Sequence, residues 1–358
     1  MLKWKAMLRP PDPPAEILVL GDLNVDIIAR VGSFPHPGEE CLASQLELHC
    51  GGVGANCAFA LRRWNISPRF VACVGQDVFA AYLLKTLASH GVNLRNVQHT
   101  SAAHTGLLYI NVTRNGQRTF FGSRGANRFL RPLPTASPLL RRTMAVSMVG
   151  YSFLDPRPEA AAQQLLKTVR ALGGWVSLDI GMAPCQQIPG KILRILKHVD
   201  LLFVSSDEAA LLTGLRDPRK SFRRLEKAGA RQVVMKLGKR GSVLRLDGQL
   251  TRVPAFAVPL VDSTGAGDAF AAAFLQARLR AWPDAEAALA ANAAGAASAA
   301  MAGAGENMPS LRQIARILRA QPLKDPWDLR RSRILRRIGK IRFQPASVIS
   351  RAATPRRR

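Results

Sequence analysis

Ile17-Leu-Val-Leu20 is an unbroken apolar run that stops at Gly21, short enough to predict a strand buried on both faces rather than a helix. A turn is expected immediately after it. Ala- and Asn-rich sequence over 52–64 reads as a helix, and 70–74 as the next strand. Asp77 then caps a helix running to about residue 90. Shorter alternating pieces at 105–112 and 117–121 are joined by Thr113-Arg-Asn-Gly116, whose Asn-Gly marks a hairpin, so this stretch predicts a small antiparallel sheet. From Met144 a strand–helix rhythm takes over. It gives strands at 146–149, 175–179 and 201–204, helices at 158–172 and near 188–197, a strand at 232–236, a turn at 238–241 and a returning strand at 242–246. Ala-rich helices follow over 266–280 and 284–302. Strands alternating with helices predict an α/β protein whose parallel sheet is covered on both faces.

The 358 residues are 47 % hydrophobic, enough for a large core, which excludes disorder for most of the chain. No stretch approaches the roughly 20 apolar residues of a membrane span, so a soluble protein is expected. Five cysteines show no zinc-ligand spacing, an odd count in a chain this long argues against a disulfide framework, and a reducing cytoplasm is the simplest compartment. The six histidines, His36, His49, His90, His99, His104 and His198, show no ligand spacing and receive no role. Residues 1–15 lack the apolar core of a secretory signal and read as a loose leader.

Lys and Arg number 51 against 24 Asp and Glu, a net charge of +27, and much of the excess lies in a proline-punctuated extension over 321–358. That segment is expected to be partly helical or disordered. Residues 323–358 would attract nucleic acid or another anionic surface. Only Trp327 and Phe343 interleave the charges, however, which does not suggest base stacking, and a solvated charge run is the commoner reading of 330–338.

The sharpest chemical signal is Asp262-Ser-Thr-Gly-Ala-Gly-Asp268, placed between an apolar run and a helix. Amides at a helix N-terminus point outward with the positive end of the dipole behind them, which makes an anion site. Asp268 could take a proton from a nucleophilic hydroxyl while those amides hold a transferring phosphoryl group; the blander role is a helix cap. Gly51-Gly-Val-Gly-Ala-Asn56 also precedes a helix, and Gly21-Asp-Leu-Asn-Val-Asp26 ends the first strand, where open α/β sheets bind ligands. Asn24 and Asp26 could grip sugar hydroxyls, or act as local caps. The ordered occurrence of all three turns carries more weight than any one.

These motifs, with Ser206-Asp-Glu-Ala-Ala-Leu-Leu-Thr-Gly214, resemble the ribokinase-like, or PfkB-type, carbohydrate kinases over residues 16–320. The resemblance implies a Rossmann-like three-layer α/β/α fold with a small β-sheet lid built from pieces at about 31–50 and 104–125, and a hinge around Gly106 and Gly122. It implies transfer of the ATP γ-phosphate to a sugar hydroxyl, with Asp268 as base and Gly265, Ala266 and Gly267 as the anion hole. Asn24, Asp26, Gly52, Asn56 and Asp262 match sugar-binding positions. Ser205, Lys236, Gly238, Gly241 and Asn292 match the nucleotide side, and Glu208 would order Mg²⁺ through water. Asp262 and Thr264, with Ser298 and Gly303 opposite, resemble a K⁺ site. Arg124 or Asn127 could reach substrate, and lids of this kind often pair into dimers.

Three departures bear on specificity. Ser205 stands where the family often has Asn, Val53 where ribokinase has Lys, and Gly150 where ribokinase has a sugar-binding Glu. A nucleoside or 2-keto-3-deoxygluconate kinase of the same fold is therefore the alternative, as is a non-catalytic member whose basic tail binds nucleic acid.

Overall fold

The computed structural model describes residues 17–114, 117–143 and 145–341. The leader, Met144, the Asn115-Gly116 turn and the extension from 342 onward lie outside the described residues.

The strands in chain order are β1 Ile17–Leu20, β2 Asn24–Val31, β3 Gln45–Gly51, β4 Arg69–Val74, β5 Asn93–His99, β6 Gly106–Thr113, β7 Arg118–Ser123, β8 Ala145–Val149, β9 Trp175–Asp179, β10 Leu201–Ser205, β11 Val233–Lys236, β12 Ser242–Leu246 and β13 Gln249–Val253. The helices are α1 Val53–Arg63, α2 Val78–Ser89, α3 Pro138–Arg142, α4 Pro156–Ala171, α5 Met182–Gln187, α6 Pro189–Ile195, α7 Ser206–Thr213, α8 Pro218–Lys227, α9 Ala266–Leu279, α10 Asp284–Ala299, α11 Leu311–Ala320 and α12 Trp327–Gly339. Nine strands form one sheet in the order β13-β12-β11-β10-β9-β8-β1-β4-β5. It is parallel except for β12 and β13, which return antiparallel.

Strand periodicity explains the three layers. In β1, Ile17 and Val19 enter the core shared with α1, α9 and α10, while Leu18 and Leu20 enter the opposite core shared with α4 and α6. Because both faces are covered, β1 carries no polar residue at all. Gly54 brings α1 against the end of β1: a Cβ there would stand 2.7 Å from the backbone of Gly21, a contact that only glycine permits.

The lid is a second sheet of order β3-β2-β6-β7, and here the sequence expectation needs correction. Residues 24–31 form strand β2 rather than continuing a turn, so the lid begins before residue 31. It is mixed, since β2 and β6 run parallel while β2–β3 and β6–β7 are antiparallel. The alternation in Asn24-Val-Asp-Ile-Ile-Ala-Arg-Val31 is what forms the strand: Val25, Ala29 and Val31 are buried on one face, and Asn24, Asp26 and Arg30 sit on the other.

The basic extension is helical over α12, and it lies against α10 and α11. Ile334 is fully buried, and Arg337 and Arg333 approach the buried Glu286 of α10 at 3.0 and 3.7 Å. Part of the charge run is thus docked rather than solvated. Ile334→Ala is expected to cost about 2–4 kcal/mol of unfolding free energy in a denaturant titration, the range for emptying a buried aliphatic site. A change below about 0.5 kcal/mol would mean that α12 does not share the core.

Candidate active site

The site lies where the C-terminal ends of the central strands meet the lid. Gly265 caps α9 with φ +73°, and a Cβ there would come within 2.7 Å of Met308 and Ala304. Ala266 N–H turns back onto Ser263 O at 3.3 Å, and by position the first-turn amides of Gly267 and Asp268 are the ones without a helical acceptor.

Asp268 Oδ2 accepts a 2.6 Å hydrogen bond from Asn56 Nδ2. Asn56 cannot turn its amide over, because its Oδ1 accepts from Gly305 N at 2.9 Å. Gly305 in turn has no room for a side chain, since a Cβ would lie 1.8 Å from Cys50 O. Burial raises the pKa of Asp268 above the ordinary carboxylate range, and the Asn56 hydrogen bond and then Lys236 oppose that rise.

A cavity of about 500 Å³ is lined by Asp268, Gly267, Lys236, Gly238, Ser205, Glu208, Val53 and Tyr151, together with Asp179. Asp179, at the end of β9, was missed in the sequence although its place at a strand C-terminus is the signal that marks such sites. Lys236 Nζ donates to both of its carboxylate oxygens, at 2.8 and 2.9 Å. Burial works against the lysine's charge, but Asp179, then Glu208 and Asp268, hold the ammonium above its usual range. Ser205 and Glu208 also form a reciprocal cap on α7, with Ser205 Oγ accepting from Glu208 N and Glu208 Oε2 from Ser205 N. A larger hollow of about 650 Å³ continues past Ser206 and Asp207 toward Arg216 and Arg240. It does not reach Asp268.

Asn292 departs from expectation. It is buried, donates to Ser242 Oγ, Val253 O and Pro254 O, and does not line the cavity, so it fastens the segment after β13. Gly241 packs against that same segment, a Cβ there falling 2.1 Å from Val253 O.

On the lid side, Gly52 has φ +92° and abuts Asp22 O. Asp26 is 5 % exposed and its Oδ1 has no hydrogen-bond partner. Burial pushes its pKa up to about 7 in spite of His49, with Asp268 and Glu306 adding to the rise. A water or a ligand donor could satisfy a buried acceptor of this kind. Asn24 Oδ1 accepts from Asn127 Nδ2 at 2.8 Å, and Asn127 Oδ1 accepts from Leu23 N at 2.9 Å. Arg124 is taken up by Asp22 and Asp155. Arg124 and Asn127 therefore position the segment before β2 rather than reaching substrate.

Asp262 is encircled. Its Oδ1 accepts from Thr264 N, Thr264 Oγ1 and Arg118 Nη1 at 2.8, 2.7 and 2.8 Å, and its Oδ2 from Gly303 N at 3.0 Å. Burial alone would raise its pKa, but these donors hold it below the usual range. Ser298 is buried in the last turn of α10.

His49 does have a role, contrary to expectation. On β3 it bridges Glu47 at 3.0 Å and Glu306 at 3.3 Å, while Glu306 also accepts from Cys50 N, tying the lid to the segment after α10. The Glu306 hydrogen bond, opposed by burial and aided by Glu47, pushes the imidazole up to about 9. Glu47 is held low by its hydrogen bond to His49, and Glu306 is held low by His49 and Cys50 although burial opposes it. The stability that His49 supplies is thus complete below its ordinary 6.5 and lost as pH rises through about 9; that of the two glutamates is present above 4.5 and lost on acidification. His49→Gln is expected to lower Tm at pH 7, with the gap to wild type closing by about pH 10. A gap that stays constant across that range would remove the ion pair from the account. Among the described residues no three His, Cys, Asp or Glu side chains are grouped to hold a metal, and no helix is long and apolar enough to cross a membrane.

A glycine turn opening a helix beside a buried carboxylate, on a three-layer sheet under a β lid, is a ribokinase-like fold, and the solved structures agree. Ribokinase from Arabidopsis thaliana, complexed with ribose and ATP, superposes with a TM-score of 0.74 at 27 % identity, over 86 % of this chain and 99 % of that one. Residues 14–311 match the pfkB family carbohydrate kinases, and the chain belongs to that family; it is a carbohydrate kinase. It is 30 % identical to the fructokinase of Klebsiella pneumoniae, over 73 % of this chain and 83 % of the relative. It is 27 % identical to the bifunctional ribokinase/ribose-5-phosphate isomerase A of Fructilactobacillus sanfranciscensis over 71 % of its own length, and spans 47 % of that longer protein.

Proposed function

We propose that this kinase transfers the γ-phosphoryl group of ATP to a hydroxyl of a small neutral sugar, with Asp268 as general base. The observation that carries the reading is the juxtaposition of Asp268, fixed by Asn56, with Gly267 and Lys236 on one cavity, and with the unpaired carboxylate of Asp26 near enough for Asp268 to raise its pKa. Relatives named ribokinase, deoxyribokinase and fructokinase support a sugar as acceptor.

In this mechanism Asp26, Asn24 and Asn56 orient the acceptor, Gly52 gives it room, and Asp268 takes the hydroxyl proton as the oxygen attacks phosphorus. The new O–P bond forms as the bond to the β-phosphate oxygen breaks, and ADP leaves. The amides of Gly267 and Asp268 and the Lys236 ammonium face the charge on the phosphoryl group. Gly265 sets the turn, and Ser205, Gly238 and Gly241 shape the nucleotide side. Asp207, Glu208 and Asp179 put carboxylate oxygens around the cavity, which suits a Mg²⁺ ion held mainly by phosphates and water; it would neutralise phosphate charge. The catalytic unit would span 16–320, with 321–358 appended.

A second copy of the chain is proposed to cover the part of the Val25–Val31 face of the lid that the core leaves open. Strand register sets Leu48, Ile27, Tyr109 and Phe121 in one row, with Phe34 stacked on Phe121, and Leu48 and Phe121 are 45 % and 55 % exposed. Light scattering that finds only a 38.9 kDa species would reject this.

The test of function is ADP release from Mg-ATP across pentoses, hexoses, keto-deoxy acids and nucleosides. Turnover on a pentose or hexose is expected. Turnover confined to nucleosides or keto-deoxy acids would replace the sugar reading, and silence on every class with ATP bound would favour the non-catalytic, tail-binding one.

A further inference from the structure

The turn ahead of Gly265 is held by one lid residue. Arg118 opens β7, and strand register puts it on the lid face that also carries Asp26. Its Nη1 donates to Asp262 Oδ1 at 2.8 Å and to Thr264 Oγ1 at 2.5 Å, and its Nη2 donates to Ser263 Oγ. One guanidinium therefore engages the side chains of all three residues from 262 to 264. The Phe120 ring lies 5.9 Å from the guanidinium carbon and backs it, and the Arg118 side chain is only 25 % exposed.

These contacts conflict with a free monovalent cation at Asp262 and Thr264. A K⁺ ion there would need the oxygens that Arg118 and Gly303 already use. It would also stand against a fixed positive charge at contact distance, where like charges repel strongly at a partly buried site. The donor set fits a guanidinium fork rather than a spherical ion.

We infer that Arg118 is the resident cation of this turn: its guanidinium balances Asp262 and orders residues 262–264 without a free ion, and so couples lid closure to the placement of Gly267 and Asp268. Arg118 is on this account a positioning residue. It touches no reacting atom, and it acts through the turn that leads directly into α9.

The rate readout of this inference rests on the sugar-kinase reading; its stability readout does not. Wild type, Arg118→Met and Arg118→Lys are compared in tetramethylammonium chloride at constant ionic strength, with or without KCl, and with guanidinium chloride at about 20 mM, far below the molar range that unfolds proteins. Wild type is expected to change by less than about twofold in rate on adding K⁺ and to keep its Tm. Arg118→Met should lose roughly ten- to a hundredfold in kcat, below the 10²–10³ scale of a donor at the transition state because Arg118 acts through the turn, with a smaller change in KM for sugar. It alone should regain rate and Tm with guanidinium or K⁺. Arg118→Lys keeps the charge without the fork and should fall between the two.

Manyfold activation of wild type by K⁺ would overturn the inference. So would full kcat in Arg118→Met, or a loss that no cation repairs. If no sugar turns over but only Arg118→Met is stabilised by the cations, the resident-cation role stands and the sugar-kinase reading falls. Normal turnover with a cation-blind Arg118→Met gives the reverse.

Discussion

Asp268→Asn is expected to lower kcat by about 10²–10⁴-fold, the contribution of a positioned general base, while ATP affinity and Tm hold or rise. Asparagine keeps the shape and leaves an acceptor for Asn56 Nδ2, so the fold loses little. Removing a carboxylate that burial already penalises relieves a cost of the native state. The same burial predicts the wild-type pH profile. Because the folded pKa of Asp268 is raised, the base protonates before an ordinary carboxylate would, and kcat/KM for sugar should fall on acidification at a pH above the usual carboxylate range. The asparagine variant should lack that acidic limb. A variant that keeps more than a tenth of wild-type kcat would exclude Asp268 as the base.

Lys236→Met should damage stability and turnover together. It strands Asp179, whose side chain is 10 % exposed, without its counter-charge; breaking such a buried pair from one side costs about 3–5 kcal/mol. It also takes the ammonium from the wall that faces Gly267 and Asp268, and kcat/KM for ATP should fall by about 10²-fold or more. Adding Asp179→Asn separates the two effects. The double variant is expected to recover most of the unfolding free energy measured in denaturant but none of the turnover, a positive coupling for stability alone. Full recovery of activity in the double variant would show that Lys236 serves only to neutralise Asp179.

The chemistry of the site was far more legible in the sequence than its supports. The turn at 262–268 could be read because helix-opening glycines and a carboxylate are local signals. β1, β9 and β12 were likewise placed to the residue, their apolar runs being bounded by glycine or polar residues. β2 was lost because Asn24 and Asp26 look like turn residues, and only pairing with β3 and β6 makes them strand. α8 was missed for want of apolar content, since Phe222 and Leu225 are its buried anchors among charges. The pairs Lys236–Asp179, His49–Glu306 and Arg118–Asp262 join residues 57, 257 and 144 positions apart, and no local pattern carries such contacts. Asn292 has a second use that motif position did not suggest: its amide holds the segment after β13.

α10 has 16 residues and so runs about 24 Å as a rod, at 1.5 Å per residue. Near its start Glu286 receives the arginines of α12, and at its end Ala299 O accepts the backbone N–H groups of Val261 and Asp262. Helix α12 and the backbone at 261–262 are thus fastened to opposite ends of one rod. Releasing α12 from Glu286 is therefore expected to speed amide exchange at Val261 and Asp262, at the far end of the rod.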